Sequence, residues 1–212
     1  MKRFLKFDTV LALTVLLLLI FGLIMITSIG VPKSIALSAP DIAYPNCSDE
    51  NVDCYLLFKK HLIRLGISLI AFFFLVKVPM KFWKKISPFL FGVTIIMLIL
   101  VLIIGKSFGT IATNWLRVFD TSLQPSEFAK LGIILYLAFW FSKRKESVES
   151  FRDGFLPFCV ISGMVALPIM LQNDYGGTMV VGLIALGIYF IAGAKIRHIA
   201  FGLTVALIAA II

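Results

Sequence analysis

The chain has 212 residues, of which 60% are hydrophobic and only 15% are charged. That much apolar surface is more than a water-soluble domain can bury, which excludes the soluble classes of protein and makes lipid the solvent. The formal net charge of +9 arises from 20 Lys and Arg against 11 Asp and Glu, and the basic residues lie between apolar runs. This placement is typical of topology signals and of contacts with anionic lipid, and not of nucleic-acid binding.

The first apolar run follows a basic N-terminus, as in a signal peptide, but it is too long for one and no small-residue cleavage site ends it. We interpret it as a retained signal anchor. Six further runs have about the length that a helix needs to cross a bilayer with some tilt. Because lipid offers backbone groups no hydrogen-bond partner, runs this apolar predict helices. The predicted spans are residues 10–29, 62–76, 89–104, 128–141, 155–171, 179–191 and 199–212.

These spans predict an all-α integral membrane protein, a polytopic helical bundle that forms a single transmembrane domain over residues 1–212. The last run stops at Ile212 without a polar flank or basic tail, so we expect the chain to be part of a longer protein. The positive-inside rule predicts a cytoplasmic N-terminus, because most basic residues fall on that side of the spans. These are Lys2, Arg3, Lys6, Lys77, Lys81, Lys84, Lys85, Lys143, Arg144, Lys145, Arg152, Lys195 and Arg197.

Three segments are then expected to face outward: residues 30–61, 105–127 and 172–178. Cys47 and Cys54 lie in the first of them, among polar residues, in what should be an oxidising compartment. A disulfide that closes a small loop is the interpretation we favour. Two free thiols in the same loop are the alternative.

The stretch over residues 114–131 carries the strongest functional signal. Pro125 suits the first turn of a helix, where its missing N–H costs nothing, and this places Gln124 at the N-cap position. Glu127 then lies in the first turn, where negative charge is favourable, and it shares a helical face with Lys130. Charged groups at the end of a span cost free energy unless they pair or face a watery cavity. A functional pair and an ion pair that only fixes helix packing explain this spacing equally well.

Two neighbouring features extend this candidate site. Arg117, beside Trp115, is a rigid cation that can bind a phosphate through two hydrogen bonds, and an interfacial anchor has the same pattern. The polar island over residues 171–178 contains Asp174, which either faces the same cavity or is a solvated turn residue. In this island a glycine pair permits a tight turn, and Thr178 is predicted to cap the next helix.

These motifs resemble the signatures of the SEDS family, the group that contains FtsW, RodA and SpoVE. The last motif resembles the family's Gln-Pro-Asp-Leu-Gly-Thr sequence, with Asn173 in place of Pro and one additional Gly. The segment after the first motif resembles the FtsW group, of cell-division proteins, more than the RodA group. The residues that carry the resemblance are Trp115-Leu116-Arg117, Gln124-Pro125-Ser126-Glu127-Phe128-Ala129-Lys130-Leu131 and Gln172-Asn173-Asp174-Tyr175-Gly176-Gly177-Thr178.

The resemblance implies a peptidoglycan glycosyltransferase that polymerises lipid II at the outer face of the bacterial cytoplasmic membrane. It implies about ten spans in the whole protein and an essential Asp in an outward loop beyond Ile212, so this chain alone is expected to be inactive. The implied partners are lipid II, a class B penicillin-binding protein and other division proteins, without nucleic acid. The substrate cavity is expected to include Trp115, Arg117, Gln124, Pro125, Ser126, Glu127, Lys130 and Asp174.

In the implied reaction, Arg117 and Lys130 would stabilise the leaving pyrophosphate, and Glu127 would orient Lys130. Asp174 would shape the cavity or hold a divalent cation, Mg or Mn. A flippase or transporter of the lipid-linked precursor is an alternative, because charges between helices suit transport as well. A non-catalytic scaffold for a class B penicillin-binding protein is another. The clustering of charges at the outward end favours chemistry on the outer surface.

Overall fold

A computed structural model of the chain describes residues 8–39, 46–49, 51–105, 112–118 and 121–211. The side chains of residues 117, 118, 121 and 205–211 lie outside this description, as do residues 1–7, which carry the predicted cytoplasmic N-terminus. The chain divides into two compact units, Met1–Val78 and Pro79–Ile212, and each is described by itself.

The first unit contains the helices α1 (Thr9–Ile29), α2 (Val31–Ser38) and α3 (Leu56–Val76). Asp8 begins α1, because its carboxylate accepts the N–H of Leu11 at 3.0 Å. None of the residues of α1 is buried within the described chain. Its uniformly apolar surface is therefore available to lipid.

The sequence does not predict α2, because its eight residues mix apolar and polar types and include a proline. Two serines hold it against the loop that follows and against the start of α3. Ser34 Oγ accepts the N–H of Leu57 at 3.2 Å, and Ser38 Oγ accepts the N–H of Asp53 at 3.1 Å. A helix this short is marginal in isolation, so these tertiary contacts stabilise it.

The loop before α3 contains a disulfide between Cys47 and Cys54, the pairing that the sequence favours. Inside the loop that this disulfide closes, Asp53, the residue before Cys54, forms an ion pair with Lys59 at 2.8 Å. The hydrogen bond from Lys59 holds the pKa of Asp53 below its ordinary value. Because the folded pKa is lowered, this pair stabilises the fold above the ordinary pKa of aspartate, and the contribution is lost as the pH falls through the lowered pKa.

The second unit is a helical bundle with one short hairpin. Two antiparallel strands, β1 (Leu116–Val118) and β2 (Thr121–Leu123), precede α5, and their register pairs Leu116 with Leu123. A 3₁₀ turn (Lys145–Ser147) and a π-helical turn (Phe151–Phe155) connect α5 to α6. The helices are α4 (Met80–Ile104), α5 (Pro125–Lys143), α6 (Leu156–Leu171), α7 (Tyr175–Ile191) and α8 (Ile196–Ile211).

The core of this unit lies between α4, α5, α6 and α7. The rings of Phe158 on α6 and Tyr189 on α7 stack at 4.4 Å, and those of Phe91 on α4 and Tyr136 on α5 stack at 4.2 Å. Such aromatic pairs fix neighbouring helices beyond the burial of their area. The fully covered core residues include Leu98, Ile133, Leu137, Val165, Ile169 and Val181.

Most helices begin before the spans that the sequence predicts. α3 begins at Leu56, α4 at Met80 and α7 at Tyr175, several residues before the corresponding apolar runs. The additional turns contain lysines or small residues, which an apolar criterion leaves out. A helix begins where its N-terminal N–H groups are first satisfied and not where the apolar run begins, and long basic side chains reach water from within its first turns.

In the described part of the chain, three helical segments are long and apolar enough to cross a membrane: Thr9–Ile29, Met80–Ile104 and Phe151–Leu171. α7 is a shorter apolar helix. Large apolar side chains are exposed on these elements, as at Ile103, which is 78% exposed, and Ile191, which is 85% exposed. Such surfaces are expected of helices that face lipid. The count of seven spans in a single transmembrane domain stays a prediction.

Candidate functional site

The first turn of α5 is built as the sequence predicts. Gln124 occupies the N-cap position with an extended backbone, and Pro125 is the first helical residue. Proline lacks an N–H and has a φ that suits a helix, so the chain enters α5 at this point. Glu127 lies in the first turn, and its N–H donates to the carbonyl oxygen of Gln124 at 3.1 Å.

Glu127 and Lys130 form an ion pair, with 2.7 Å between Lys130 Nζ and Glu127 Oε1. The two side chains are unequally covered, because Lys130 is 25% exposed and Glu127 is 58% exposed. Lys130 therefore lies at the edge of the packed face of α5, and Glu127 lies outside that face. An exposed ion pair of this kind contributes about 0–1 kcal/mol to stability. Stabilisation of helix packing therefore does not by itself explain the pair.

The structure places two other predicted site residues in the packed interior. Pro125 and Ser126 are both buried, next to Ala129 on the inner face of α5. Ser126 Oγ is buried and has no hydrogen-bond partner among the described residues. The predicted role of these two residues in a substrate cavity stays a prediction.

Asp174 joins three parts of the chain that are distant in sequence. Its Oδ1 accepts the N–H of Gly177 at 2.8 Å, which makes Asp174 the N-cap of α7. Its Oδ2 accepts the side-chain amide of Asn114 at 2.7 Å and that of Gln124 at 3.3 Å. Gln124 thus forms no side-chain cap for α5, and its amide binds the carboxylate of Asp174 instead.

The prediction that Thr178 caps α7 is wrong. The helix already begins at Tyr175, and the hydroxyl of Thr178 donates to the carbonyl oxygen of Asp174 at 2.8 Å within its first turn. Asp174 comes first in the chain and is at least as good a cap as threonine. The glycine pair consequently lies inside the helix and not in the turn that precedes it.

Two buried amides lie at this end of the unit, and their types and spacing predicted a role for neither; Asn114 contacts Asp174, and Gln172 makes a separate set of contacts beside it. Asn114 is 4% exposed and Gln172 is fully buried. Gln172 Nε2 donates to the carbonyl oxygen of Leu98 on α4 at 3.3 Å, and the carbonyl oxygen of Gln172 accepts the N–H of Thr113 at 3.1 Å. Gln172 directly follows an apolar run, and Asn114 lies in the segment between two of them. That signal alone does not distinguish a buried amide from a solvated one.

The hairpin carries the remaining predicted residues. The backbone of Arg117 pairs with Ser122 of β2, and Trp115, immediately before β1, is half-buried. The side chain of Arg117 lies outside the described residues, so its contact with a phosphate stays a prediction.

The structure thus brings the predicted residues together in two groups. Gln124 contacts Asp174, and Glu127 contacts Lys130. Within the described ranges, no hydrogen bond or ion pair joins one group to the other. The link is the first turn of α5 itself, because Gln124 begins the helix that carries Glu127 and Lys130.

The geometry provides few ligands for a divalent cation. Over the described ranges, no group of three or more His, Cys, Asp or Glu side chains could hold a metal ion. Mg²⁺ prefers six oxygen ligands in octahedral geometry. Asp174 is a single carboxylate, and both of its oxygens already accept hydrogen bonds from the protein. Asp174 as a metal ligand therefore gains no support here, and we derive no step through a metal.

The opposite end of the second unit has a different chemistry. There Lys195 Nζ lies 3.1 Å from Glu149 Oε2, and the hydroxyl of Tyr189 donates to the carbonyl oxygen of Val148 at 3.2 Å. The helices α4 to α7 alternate in direction, so the Asp174 network and these basic connections lie at opposite ends. This arrangement defines a polytopic helical membrane protein with a polar site at one end of its bundle.

The chain belongs to the family of cell cycle proteins that comprises FtsW, RodA and SpoVE, whose family model matches residues 8–212. The probable peptidoglycan glycosyltransferase FtsW of Burkholderia thailandensis is 34% identical over 198 residues, which are 92% of this chain and 40% of that protein. Stage V sporulation protein E of Bacillus subtilis is 36% identical over 196 residues, which are 92% of this chain and 50% of that protein. The chain therefore spans half or less of the length of these two relatives.

Solved structures show the same fold. A peptidoglycan synthase complex, described as coordinating polymerization and crosslinking, matches 90% of this chain and 52% of its own chain, with a TM-score of 0.61 and 25% identity. The rod shape determining protein RodA of Thermus thermophilus matches 98% of this chain and 61% of its own, with a TM-score of 0.63 and 24% identity. The predicted fold class, an all-α integral membrane protein, is confirmed, with the β1–β2 hairpin as a small addition.

Proposed function

We propose that the protein containing this chain is a peptidoglycan glycosyltransferase, which polymerises lipid II at the outer face of the bacterial cytoplasmic membrane during cell division. Family membership and the names of its FtsW relatives support this activity. The observation that carries it at the level of residues is the Glu127–Lys130 ion pair in the first turns of α5. A lysine that is mostly covered but still accessible is suited to an anionic substrate group.

In the proposed reaction, the 4-hydroxyl of an acceptor sugar attacks the anomeric carbon of a donor, and a lipid pyrophosphate leaves. Lys130 stabilises the negative charge that develops on the pyrophosphate, because a fixed cation acts more strongly where water is partly excluded. Glu127 orients the ammonium group at 2.7 Å. Arg117 of the hairpin supplies a second cation. The general base belongs to a part of the protein outside these residues.

The proposed orientation places the Asp174 network outside and the basic connections in the cytoplasm, with a cytoplasmic N-terminus. It is supported by the position of Lys143, Arg144 and Lys195 at the end of the second unit opposite to Asp174. Lys143 lies over the ring of Phe139 at 4.4 Å, and Arg144 over that of Trp140 at 4.6 Å, as expected of cations beside interfacial aromatics.

The proposed partners are lipid II, a class B penicillin-binding protein and other division proteins. A match to a solved peptidoglycan synthase complex supports a partner of the crosslinking type. A divalent cation, Mg or Mn, is also proposed; it would supply positive charge to the substrate phosphates, and none of the described residues is assigned as its ligand.

Replacement of either member of the ion pair tests the proposed function. In the intact protein, we expect Lys130→Ala and Glu127→Ala to lower the rate of lipid II polymerisation by about 100-fold or more, because each removes or misplaces the cation. The measurement is the length and amount of glycan formed from purified lipid II by protein in liposomes. Lys195→Ala is the matched control, since Lys195 also forms an ion pair but at the opposite end of the unit.

Polymerisation at the wild-type rate by Lys130→Ala would contradict the assignment of the site. A wild-type protein that moves lipid II across the bilayer without elongating it would instead favour a flippase. A protein whose partner recruitment survives but which never forms glycan would favour a scaffold.

A further inference from the structure

We propose that Asp174 and Asn114 are positioning residues, which clamp the base of the β1–β2 hairpin and thereby hold α5 and its Glu127–Lys130 pair in place. The clamp is the pair of hydrogen bonds from the side-chain amides of Asn114 and Gln124 to Asp174 Oδ2, at 2.7 and 3.3 Å. The clamp itself is argued from these contacts, and only its expected effect on kcat rests on the proposed glycosyltransferase activity.

The position of the two amides relative to the strands makes them a clamp. Asn114 lies two residues before β1, and Gln124 follows β2 directly. Because Leu116 pairs with Leu123, the two strands are already adjacent where they meet these residues. A single carboxylate oxygen therefore closes the base of the hairpin on both sides. The Asp174 carboxylate also fixes the start of α5, because its Oδ2 binds Gln124. Its Oδ1 fixes the first turn of α7.

A second set of contacts holds the neighbouring chain independently of Asp174. The N–H of Thr113 donates to the carbonyl oxygen of Gln172, and the side chain of Gln172 donates to Leu98 on α4. Loss of the Asp174 carboxylate therefore leaves the segment before the hairpin attached to the bundle. The expected defect is a displaced hairpin and α5 start, and not an unfolded unit.

The hydrogen-bond donors around Asp174 indicate that it acts as a clamp and not as a catalytic charge. Asp174 accepts hydrogen bonds from two neutral amides and one backbone N–H, and no cation contacts it within the described residues. An amide can replace a carboxylate in such a site. In Asp174→Asn the new NH2 group takes the place of Oδ2 and can donate to both neighbours once the Asn114 and Gln124 amides rotate to present their oxygens. Asn114 Oδ1 is buried and accepts no hydrogen bond from a described residue, so this rotation costs it no partner. Asparagine also caps helices as well as aspartate does.

The first test compares Asp174→Asn with Asp174→Ala in the intact protein in liposomes. We expect Asp174→Asn to stay within about threefold of the wild-type kcat, because geometry and cap are kept. Asp174→Ala and Asn114→Ala should lower kcat about tenfold or more with KM little changed, since Lys130 is displaced from the reacting phosphate. A melting temperature measured on the same samples separates this effect from unfolding.

Two glycines provide a matched pair that leaves Asp174 itself intact. A Cβ at Gly177 would lie 2.7 Å from Asp174 Oδ2 and 2.9 Å from Oδ1, whereas a Cβ at Gly176 would meet only Oδ1, at 4.0 Å. Gly177→Ala should therefore push the carboxylate aside and lower kcat as Asp174→Ala does. Gly176→Ala should behave like the wild type.

Hydrogen exchange tests the clamp without any reference to activity. Backbone amides of β1 and β2 should exchange about tenfold faster in Asp174→Ala and at the wild-type rate in Asp174→Asn, because only the former opens the base of the hairpin. If Asp174→Ala exchanges faster but the wild-type protein forms no glycan, the clamp is supported and the proposed function is contradicted. Unchanged exchange in Asp174→Ala, or a kcat for Asp174→Asn as low as that of Asp174→Ala, would overturn the clamp. If Asp174→Ala does not fold, Asn114→Ala and Gly177→Ala decide between these outcomes.

Discussion

Asn173 has a left-handed backbone, with a φ of 58°, and it is the residue that turns the chain from α6 into α7. Asparagine is among the few residues with a side chain that adopt this region readily. Its N–H donates to the carbonyl oxygen of Met170 at 3.0 Å. The resemblance places a proline at this position in the family, and proline could neither adopt this φ nor donate this hydrogen bond. Asn173 is therefore matched to the turn that this chain forms, and the turn presents Asp174 to its partners.

Replacement of Asn173 tests the conformation of this turn. Asn173→Pro should destabilise the protein by about 3 kcal/mol, because it imposes a φ near −65° and removes an N–H donor. Asn173→Gly is the control and should change stability by less than about 1 kcal/mol, since glycine adopts positive φ freely. Thermal unfolding of the purified protein in detergent would show the difference. A variant with proline that melts at or above the wild-type temperature would contradict the turn described here.

Helices α4 and α5 approach closely where α5 has a glycine, Gly132. A Cβ at Gly132 of α5 would lie 2.5 Å from Thr94 Oγ1 of α4. Thr94 is 4% exposed and β-branched, so it has little freedom to move away. Small residues at such a crossing allow helices to pack closely in a membrane, where no hydrophobic effect drives their association. The same crossing holds Phe91 against Tyr136 one turn away.

This crossing predicts a pair of opposite effects. Gly132→Ala should lower stability by about 1–3 kcal/mol, because the added methyl group overpacks the contact with Thr94. Gly92→Ala, on α4, should be neutral or slightly stabilising, since its Cβ would meet nothing within 4 Å and alanine favours a helix. Adding Thr94→Ala to Gly132→Ala should restore part of the loss. Equal melting temperatures for the wild type and Gly132→Ala would show that the helices are not in contact there.

The two ends of the second unit are chemically distinct. One end contains neutral amides around a single carboxylate, and the other contains the basic connections after α5 and α7. This separation agrees with the side assignment that counting basic residues predicts. It also separates the Glu127–Lys130 pair, at the start of α5, from Lys143 at its end.

If the Asp174 end of the unit faces outward, this orientation predicts which introduced cysteines react in intact cells. A cysteine at Thr113, which is exposed beside the Asp174 network, should react with a membrane-impermeant maleimide added outside. A cysteine at Glu146, exposed in the 3₁₀ turn at the other end, should react only after the membrane is opened. Detection of each labelled protein by mass shift provides the measurement. The reverse pattern would place Lys130 in the cytoplasm and remove the proposed site on the outer face.

The sequence alone determined the features that depend on local spacing and on solvent. Long apolar runs required helices in lipid, Pro125 set the start of α5, and a separation of three residues put Glu127 beside Lys130. Which polar groups meet depends on the packing of the helices. Asn114 and Gln124 reach Asp174 across 60 and 50 residues of sequence, and this depends on how α4 to α7 pack, which no local periodicity encodes. The burial of Asn114 and Gln172 follows from that packing. The cap at Asp174 is local, because its carboxylate accepts the N–H of Gly177, three residues further along the chain.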